Sequence, residues 1–135
     1  MNKQDKLIKN NYSKYWETAR EKIYGFMDYD KNFLELIYKY SEINDKILDV
    51  TCGTGDPFIQ ELIKKGYKNI YGSDIAYNLL FKSKRNFSQA KYIQSNIQNF
   101  GFKNNSFDLV FCVHSSWYFS DFDAALKNML NISKK

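Results

Sequence analysis

The sequence contains few of the residues that build metal sites or disulfides, and it has no apolar run long enough to span a membrane. One histidine and two cysteines among 135 residues leave too few ligands for a metal site, and none is expected. Cys52 and Cys112 fall at the ends of apolar segments and are predicted to be reduced core thiols. No apolar run approaches the roughly 20 residues that cross a membrane, and the polar N-terminus is unlike a signal peptide. A cytoplasmic location without a membrane partner is expected.

The chain also lacks any concentrated patch of one charge. Lysine and arginine number 20 against 15 acidic residues, and the two signs are interleaved along the sequence. A net charge of +5 distributed in this way indicates a solvated surface, so nucleic acid is not the expected partner. A length of 135 residues with 44% apolar content is enough for one domain with a hydrophobic core.

Residues 45–58 combine an apolar segment, a glycine turn and the start of a helix. The apolar run at residues 47–50 is typical of a parallel strand buried on both faces. After the turn at residues 51–55, Asp56 predicts a helix N-cap and Pro57 the first helical position. This geometry lets a ligand approach bare backbone at the carboxyl end of a sheet. The unit is therefore predicted to bind a cofactor.

The rest of the chain alternates predicted helices and strands. Residues 1–11 are basic and polar and are expected to be frayed or to be ordered only on docking. Apolar spacing predicts helices at 12–26 and 30–40, a helix from 58 to Gly66, a strand at 69–73, a helix at 76–85, a strand at 91–94, a strong strand at 107–113 and a last helix starting at 120–123. Asp30 is the expected N-cap of the second helix, with Phe33 facing inward. Phe122, Leu126 and Leu130 are expected to face inward on the last one.

This alternation predicts an α/β fold in a single domain spanning residues 1–135. Two N-terminal helices at 12–40 precede an α/β core at 45–132. Right-handed crossovers starting from the glycine-turn strand give a parallel sheet of order 3-2-1-4, flanked by helices. The ligand crevice is then expected beside the first strand.

The spacing of the turn distinguishes between nucleotide-binding motifs. A P-loop needs a lysine that this turn lacks, and a dinucleotide turn needs a third glycine where the chain has Phe58. The stretch ILDVTCGTG instead resembles motif I of the class I S-adenosylmethionine-dependent methyltransferases. Asp49, Gly53 and Gly55 match that motif, and Thr51 replaces its first glycine. The resemblance extends over residues 43–130 and implies a Rossmann-like sheet with S-adenosylmethionine as cofactor and S-adenosylhomocysteine as product.

The resemblance also implies roles for individual residues. The cofactor would lie against the turn, formed by Thr51, Cys52, Gly53, Thr54 and Gly55. Asp74, nineteen residues after Gly55, would accept hydrogen bonds from both ribose hydroxyls, although it also suits a helix N-cap. Asp49 would help to position the methionine ammonium; the alternative is a buried structural acid.

Further cofactor contacts are implied at the ends of later strands. Asn96 would bind the adenine amine, or simply form a loop turn. Ile75 and Ile97 would sandwich the adenine, or belong to the core. The carbonyl of Val113 or His114 would meet the methionine amine. The last implied contacts come from the N-terminal helix, where Tyr15 and Trp16 would cover the cofactor or pack in the core.

The residues after the fourth strand are candidates for substrate selection. The Asn/Asp-Pro-Pro-aromatic box of amine methyltransferases acting on DNA bases or glutamine is absent from residues 114–119. His114 is a candidate general base for an oxygen or nitrogen nucleophile, with a lining role as the alternative. Trp117 and Tyr118 are candidates to stack a planar or cationic acceptor, or to pack on the last helix. A small-molecule acceptor is the favoured substrate class.

Relative to the seven-stranded family sheet, this chain is expected to be truncated after the fourth strand and the following helix. The apolar fourth strand would then form an open edge, which soluble proteins rarely leave bare. Three explanations stay open: the chain is a fragment of a longer protein, it completes its sheet by pairing with a second copy or a partner chain, or it is a naturally reduced domain. Association through this edge or through the last helix is the working hypothesis. Three other functions remain open: a non-catalytic cofactor-binding subunit, another cleavage of the same sulfonium, and, less favoured, RNA methylation.

Overall fold

A four-stranded parallel sheet forms the centre of the molecule. In a computed structural model that describes residues 3–7, 28–99 and 101–134, the strands are β1 (Lys46–Val50), β2 (Asn69–Asp74), β3 (Lys91–Gln94) and β4 (Leu109–Phe111). Their order is β3-β2-β1-β4, and every neighbouring pair is parallel. The predicted α/β class and strand order are therefore confirmed. The turn after β1 lies between β1 and β4, where the winding of the sheet changes direction.

Helices cover both faces of the sheet. They are α1 (Lys3–Leu7), α2 (Asp28–Tyr40), α3 (Phe58–Lys65), α4 (Tyr77–Asn86) and α5 (Phe122–Ile132), with short 3-10 turns at Ile97–Asn99 and Ser116–Tyr118. Helix α3 ends at Gly66 as predicted, because glycine accepts the left-handed conformation with φ of 97° that closes the helix. Along the described ranges, no helix combines the length and apolarity needed to cross a membrane.

Alternate residues of β1 pack on opposite faces of the sheet. Ile47 belongs to a core cluster with residues of α2 and α3, and Leu48 and Val50 belong to a second cluster with Ala125 of α5. All three β1 residues are almost fully buried. This is the two-sided burial expected of a central parallel strand, and it fixes the position of the turn that follows.

The strand predicted at residues 107–113 is shorter than expected. β4 comprises only Leu109–Phe111, while Phe107 forms an isolated bridge to Ser133 after α5. Within the described sheet β4 pairs with β1 alone, and its side chains are only partly buried. The apolar run predicted a strand over residues 107–113. An edge strand forms hydrogen bonds with a neighbour on one side only, so fewer bonds maintain its length.

Two predicted helix caps are wrong. Helix α2 begins at Asp28, so Asp30 lies inside its first turn, where it is buried and bonded to another side chain. Pro57, not Asp56, occupies the N-cap position of α3, and proline makes no side-chain cap bond there. In contrast, Asp121 caps α5 by accepting a hydrogen bond from the Ala124 amide, as its sequence position indicates.

Several apolar side chains expected in the core lie on the surface instead. Phe33 on α2 is 40% exposed, and Phe122, Leu126 and Leu130 on α5 are 51%, 44% and 65% exposed. The last three follow one another at four-residue spacing and form one stripe along the helix. Helix α5 packs on the sheet through Ala125 and Ile132. The apolar face of α5 is therefore wider than the surface that the described sheet covers.

The first residues also depart from the prediction of a frayed terminus. Residues 3–7 form helix α1, and Asp5 is buried with 5% exposure. The first predicted helix, with Tyr15 and Trp16, lies outside the described residues. The cofactor role expected of these two aromatic residues stays a prediction.

Candidate functional site

The turn after β1 has a left-handed backbone at every second residue. The φ angles are 63° at Thr51, 56° at Gly53 and 86° at Gly55. Glycine adopts this conformation without steric cost, whereas a threonine there costs about 1–2 kcal/mol. The hydroxyl of Thr51 donates to the Val50 carbonyl and lies 3.4 Å from Cys112 Sγ, directly after β4. The alternate spacing seen in the sequence thus reflects the conformation of the turn.

The two glycines of the turn serve different purposes. A methyl group placed on Gly55 would lie 2.5 Å from Ser83 Oγ and 2.8 Å from a ring carbon of Phe87, so this glycine allows close packing against α4. A methyl group on Gly53 would meet no atom within 4 Å. Gly53 therefore borders open space in which a ligand could contact the backbone.

Alanine substitutions at these two positions are expected to have unequal effects on stability. Gly55→Ala should lower the free energy of unfolding by about 2–4 kcal/mol, because overpacking adds to the left-handed penalty. The matched variant Gly53→Ala should cost only about 1 kcal/mol, since the conformational penalty acts alone there. Urea unfolding followed by circular dichroism measures both. Equal losses would contradict the packing role of Gly55.

Asp74 places a buried carboxylate directly at the turn. It ends β2 and is 8% exposed; its Oδ2 accepts a hydrogen bond of 2.9 Å from the Gly53 amide. Its Oδ1 accepts a second hydrogen bond of 2.9 Å from the amide of Ala76, the residue before α4. Asp74 therefore also binds the backbone at the start of that helix, which is the alternative role expected from the sequence. Burial raises the pKa of Asp74, against the opposing effect of these backbone bonds. A backbone hydrogen bond from Ile75 also reaches this carboxylate, and of its about four lone-pair sites at least one stays open to a further donor.

Asp49 and the two cysteines lie around the same turn. Asp49 is buried in β1 at 4% exposure. Burial raises the pKa of Cys112 to about 11, with smaller contributions in the same direction from Asp49 and Asp74. Burial also raises the pKa of the Cys52 thiol, again with help from both carboxylates. Cys52 packs in the core, and its amide donates to the Ser73 carbonyl. Its expected contact with a cofactor stays a prediction. Thr54 is also buried.

The end of β3 carries a set of polar side chains. The Asn96 Oδ1 accepts from the main-chain and side-chain N–H groups of Gln98 at 3.0 and 3.2 Å, which is the turn geometry considered as its alternative role. Its Nδ2 donates to Asp5 at 3.2 Å. Ile97 is 4% exposed and packs in the second core cluster, while Ile75 is partly buried. The Ser95 hydroxyl is buried and has no hydrogen-bond partner among the described residues.

The end of β4 brings His114 against a buried acid. His114 has a left-handed φ of 62°, and its Nε2 lies 2.9 Å from Asp30 Oδ1 on α2. The carboxylate is 4% exposed and the imidazole 30% exposed. Two aromatic rings adjoin the imidazole, with centroids at 6.1 Å for Phe33 and 6.4 Å for Trp117. Backbone strain in a partly exposed polar residue is typical of functional sites.

The other residues predicted at the end of β4 are arranged around this pair. Val113 is partly buried against the first core cluster. Trp117 is 63% exposed, and its ring centroid lies 5.6 Å from that of Tyr118, which is partly buried. The sequence pattern did not indicate the participation of Asp30 or Asp5, because both lie on helices far from their partners along the chain.

Solved structures of the same fold include several methyltransferases. A TehB-like S-adenosylmethionine-dependent methyltransferase from Corynebacterium glutamicum superposes with a TM-score of 0.70 at 21% identity, over 91% of this chain and 65% of its own. A methyltransferase of Haloferax volcanii, solved with the Trm112 activator, superposes with a TM-score of 0.65 at 16% identity. The match covers 99% of this chain and 57% of the Haloferax volcanii chain. A possible histamine N-methyltransferase from Thermotoga maritima superposes with a TM-score of 0.63 at 18% identity. The match covers 97% of this chain and 55% of the Thermotoga maritima chain. At these identities the likeness concerns the fold alone.

The chain spans less than two thirds of the length of each of these structures. Among curated proteins, none is similar enough in sequence to be matched. The sequence profile of the methyltransferase domain family matches residues 48–135, which is more than half of the chain and includes the turn, Asp74 and the end of β4. The four-stranded sheet in 3-2-1-4 order and this match together show that the chain belongs to the class I S-adenosylmethionine-dependent methyltransferases.

Proposed function

We propose that this domain binds S-adenosylmethionine at the β1 turn and transfers its methyl group to a small-molecule acceptor. The observation that carries the proposal is the pairing of open backbone at Gly53 with the Asp74 carboxylate, whose Oδ2 lies 2.9 Å from the Gly53 amide. Bare backbone accommodates the body of the cofactor, and an acceptor-only group beside it suits a sugar diol.

The residues present fit this cofactor. Asp74 keeps acceptor capacity beside its backbone bonds and could accept a hydrogen bond from the ribose. The buried Ser95 hydroxyl at the end of β3 has no partner among the residues described, and a bound ligand would supply the missing bond. Asp49 is buried beside the same turn and offers negative charge for the ammonium group.

When bound, the cofactor supplies an activated methyl group on a sulfonium. The protein then has to hold the acceptor in line with that group, and alignment of this kind can contribute about 7–11 kcal/mol. His114 is proposed to remove the proton of the acceptor. With Nε2 bonded to Asp30, the proton would be taken at Nδ1, and the buried carboxylate would stabilise the imidazolium that forms.

A small acceptor suits the surroundings of His114. The exposed indole of Trp117 and the ring of Phe33 flank the imidazole and offer flat surfaces for a planar or cationic molecule. The Thermotoga maritima neighbour is described as a possible histamine N-methyltransferase, a function that also involves a small amine. The proposed acceptors are therefore phenols and amines.

Isothermal titration with S-adenosylmethionine and S-adenosylhomocysteine tests the cofactor assignment, with Gly53→Ala as the variant that fills the open space. Wild type should bind both ligands, and Gly53→Ala should bind more weakly although it is folded. Absence of binding by the wild-type protein would refute the proposal.

A methyl-transfer assay then identifies the acceptor class. Phenols, amines including histamine, thiols and a short RNA are offered in turn as acceptors, and the release of S-adenosylhomocysteine is measured for each.

Three other results of these experiments would favour the alternatives. Binding without transfer to any acceptor would indicate a cofactor-binding subunit. Breakdown of the cofactor in the absence of an acceptor would indicate another reaction at the sulfonium. Transfer to RNA with a steep salt dependence would indicate a nucleic-acid substrate.

We also propose that a second copy of this chain covers the β4 edge and the exposed stripe of α5. The support is that β4 pairs with β1 alone in the described sheet, beside three large apolar side chains at 44–65% exposure. Light scattering should give a dimer whose dissociation constant rises at least about tenfold in Leu126→Lys. The control Lys127→Leu, on the same helix, should leave association intact. A strict monomer at high concentration would contradict the proposal.

A further inference from the structure

Helix α4 presents two aromatic rings to solvent. Tyr77 is 63% exposed and Phe81 is 53% exposed. Their ring centroids lie 6.4 Å apart, and the two ring planes are inclined by only 32°, so the rings have similar orientations. The buried side of the same helix consists of Leu79, Leu80 and Ser83. Packing against the sheet therefore does not account for the two aromatic side chains.

The charged residues of α4 are all basic. Its ten residues include Lys82, Lys84 and Arg85 and contain no acid, so the mixing of charges along the whole sequence does not extend to this helix. Lys84 and Arg85 are exposed, and they follow Phe81 by three and four positions, which continues the stripe that begins at Tyr77. Basic residues are favoured at the end of a helix because they complement its dipole. That effect accounts for the two charges but not for the rings beside them.

We propose that the α4 surface, formed by Tyr77, Phe81, Lys84 and Arg85, docks a single-stranded nucleic acid. Aromatic side chains stack on nucleobases of any sequence, and basic side chains attract the phosphates of the same strand. The positive charge of α4 complements a polyanion, and its two rings complement one that carries flat groups. A single strand has both properties, whereas the bases of a duplex are already stacked on one another. This docking surface is separate from the proposed methyl transfer and does not depend on it.

Fluorescence anisotropy with a short labelled oligouridylate at low salt tests the role of the rings. Tyr77→Ala and Phe81→Ala should each weaken binding at least about fivefold, the lower end of what one stacked base contributes. Phe81→Trp should keep the affinity because it keeps a ring, and Phe81→Leu should lose it because it keeps only apolar volume. The matched control Tyr40→Ala removes a ring of 56% exposure from α2 and should bind as wild type.

The dependence of binding on salt tests the role of the charges. Lys84→Gln and Arg85→Gln should each lower the slope of the logarithm of affinity against the logarithm of salt concentration by about 0.7. Lys127→Gln, which removes an exposed charge from α5, is the control and should keep the wild-type slope. An abasic oligomer retains the phosphates without the bases. Wild type should bind it at least about tenfold more weakly than oligouridylate, and Phe81→Ala should bind it as well as wild type does.

Three results would overturn the proposal. The first is the absence of measurable binding by the wild-type protein at low salt. The second is equal affinity for the abasic oligomer, which would reduce the interaction to charge alone. The third is retained binding in Phe81→Leu, which would indicate an apolar contact without stacking. Both rings are exposed and alanine favours helices, so the alanine variants should fold as wild type, which circular dichroism checks. Titration with S-adenosylmethionine measures the proposed cofactor function separately.

Discussion

Asp74→Ala is expected to lower the affinity for S-adenosylhomocysteine at least tenfold, while the protein keeps its fold. Hydrogen bonds to a charged acceptor contribute about 1.5–3 kcal/mol each, and loss of one such bond already exceeds a tenfold change. Titration calorimetry measures the affinity, and circular dichroism checks the fold. Unchanged affinity would overturn the assignment of this carboxylate to the ribose.

The substitution has a second effect that must be separated from the first. Asp74 also accepts hydrogen bonds from backbone amides, including those of Gly53 and Ala76, so its removal leaves these donors without their acceptor. A 2′-deoxy analogue of S-adenosylhomocysteine isolates the sugar contact, because it removes the ligand hydroxyl without changing the protein. Wild type should bind the analogue about tenfold more weakly than the parent, and Asp74→Ala should bind the two almost equally. A penalty of the same size in both proteins would mean that Asp74 acts only on the shape of the turn.

The raised pKa of Asp74 gives the same contact a pH dependence. Ribose hydroxyls donate to the ionised carboxylate, so affinity should fall as the pH is lowered through this pKa, starting at a higher pH than an ordinary aspartate would require. Stability of the free protein changes in the opposite sense. Because burial raises the pKa in the folded state, the contribution of Asp74 to stability is largest at low pH and is lost as the pH rises through that pKa. Asp74→Asn should remove both dependences.

The order of the sheet could be predicted because it follows from local patterns and handedness. Alternating strands and helices, with right-handed crossovers, leave few ways to wind a sheet from the β1 turn, and the observed order is one of them. The limits of β4 could not be predicted in this way. Its apolar run indicates burial, whereas its length depends on how many neighbours it has in the sheet, which the pattern does not contain.

The position of the site could be predicted for similar reasons, but not its side-chain partners. Left-handed φ angles at alternate residues require small side chains, so the turn is visible in the sequence. The bonds from Asp5 to Asn96 and from Asp30 to His114 join residues 91 and 84 positions apart. Asp30 looks like a helix cap because caps and buried partners use the same residue type. Only the packing of α2 against the end of β4 distinguishes the two roles.

His114→Gln is expected to lower the rate of methyl transfer by about a hundredfold or more, with little change in affinity for S-adenosylhomocysteine. General-base catalysis typically contributes about 10²–10⁴-fold, and glutamine keeps the size and polarity of the side chain without its basicity. Asp30→Asn should lower the rate by about tenfold, since an amide can still orient the imidazole but stabilises its protonated form less well. Glu35→Gln, an exposed acid on the same helix, is the control and should behave as wild type.

Acceptors of graded acidity distinguish a base from a residue that only lines the site. Within one acceptor class, such as substituted phenols, the more acidic members are already ionised at neutral pH and need no base. The loss in His114→Gln should therefore be largest for the least acidic acceptor and should shrink steadily along the series. A lining residue would give the same loss for every member, because it would affect binding or alignment but not proton removal. A uniform loss would accordingly assign His114 and Asp30 to the wall of the acceptor pocket and not to the chemistry.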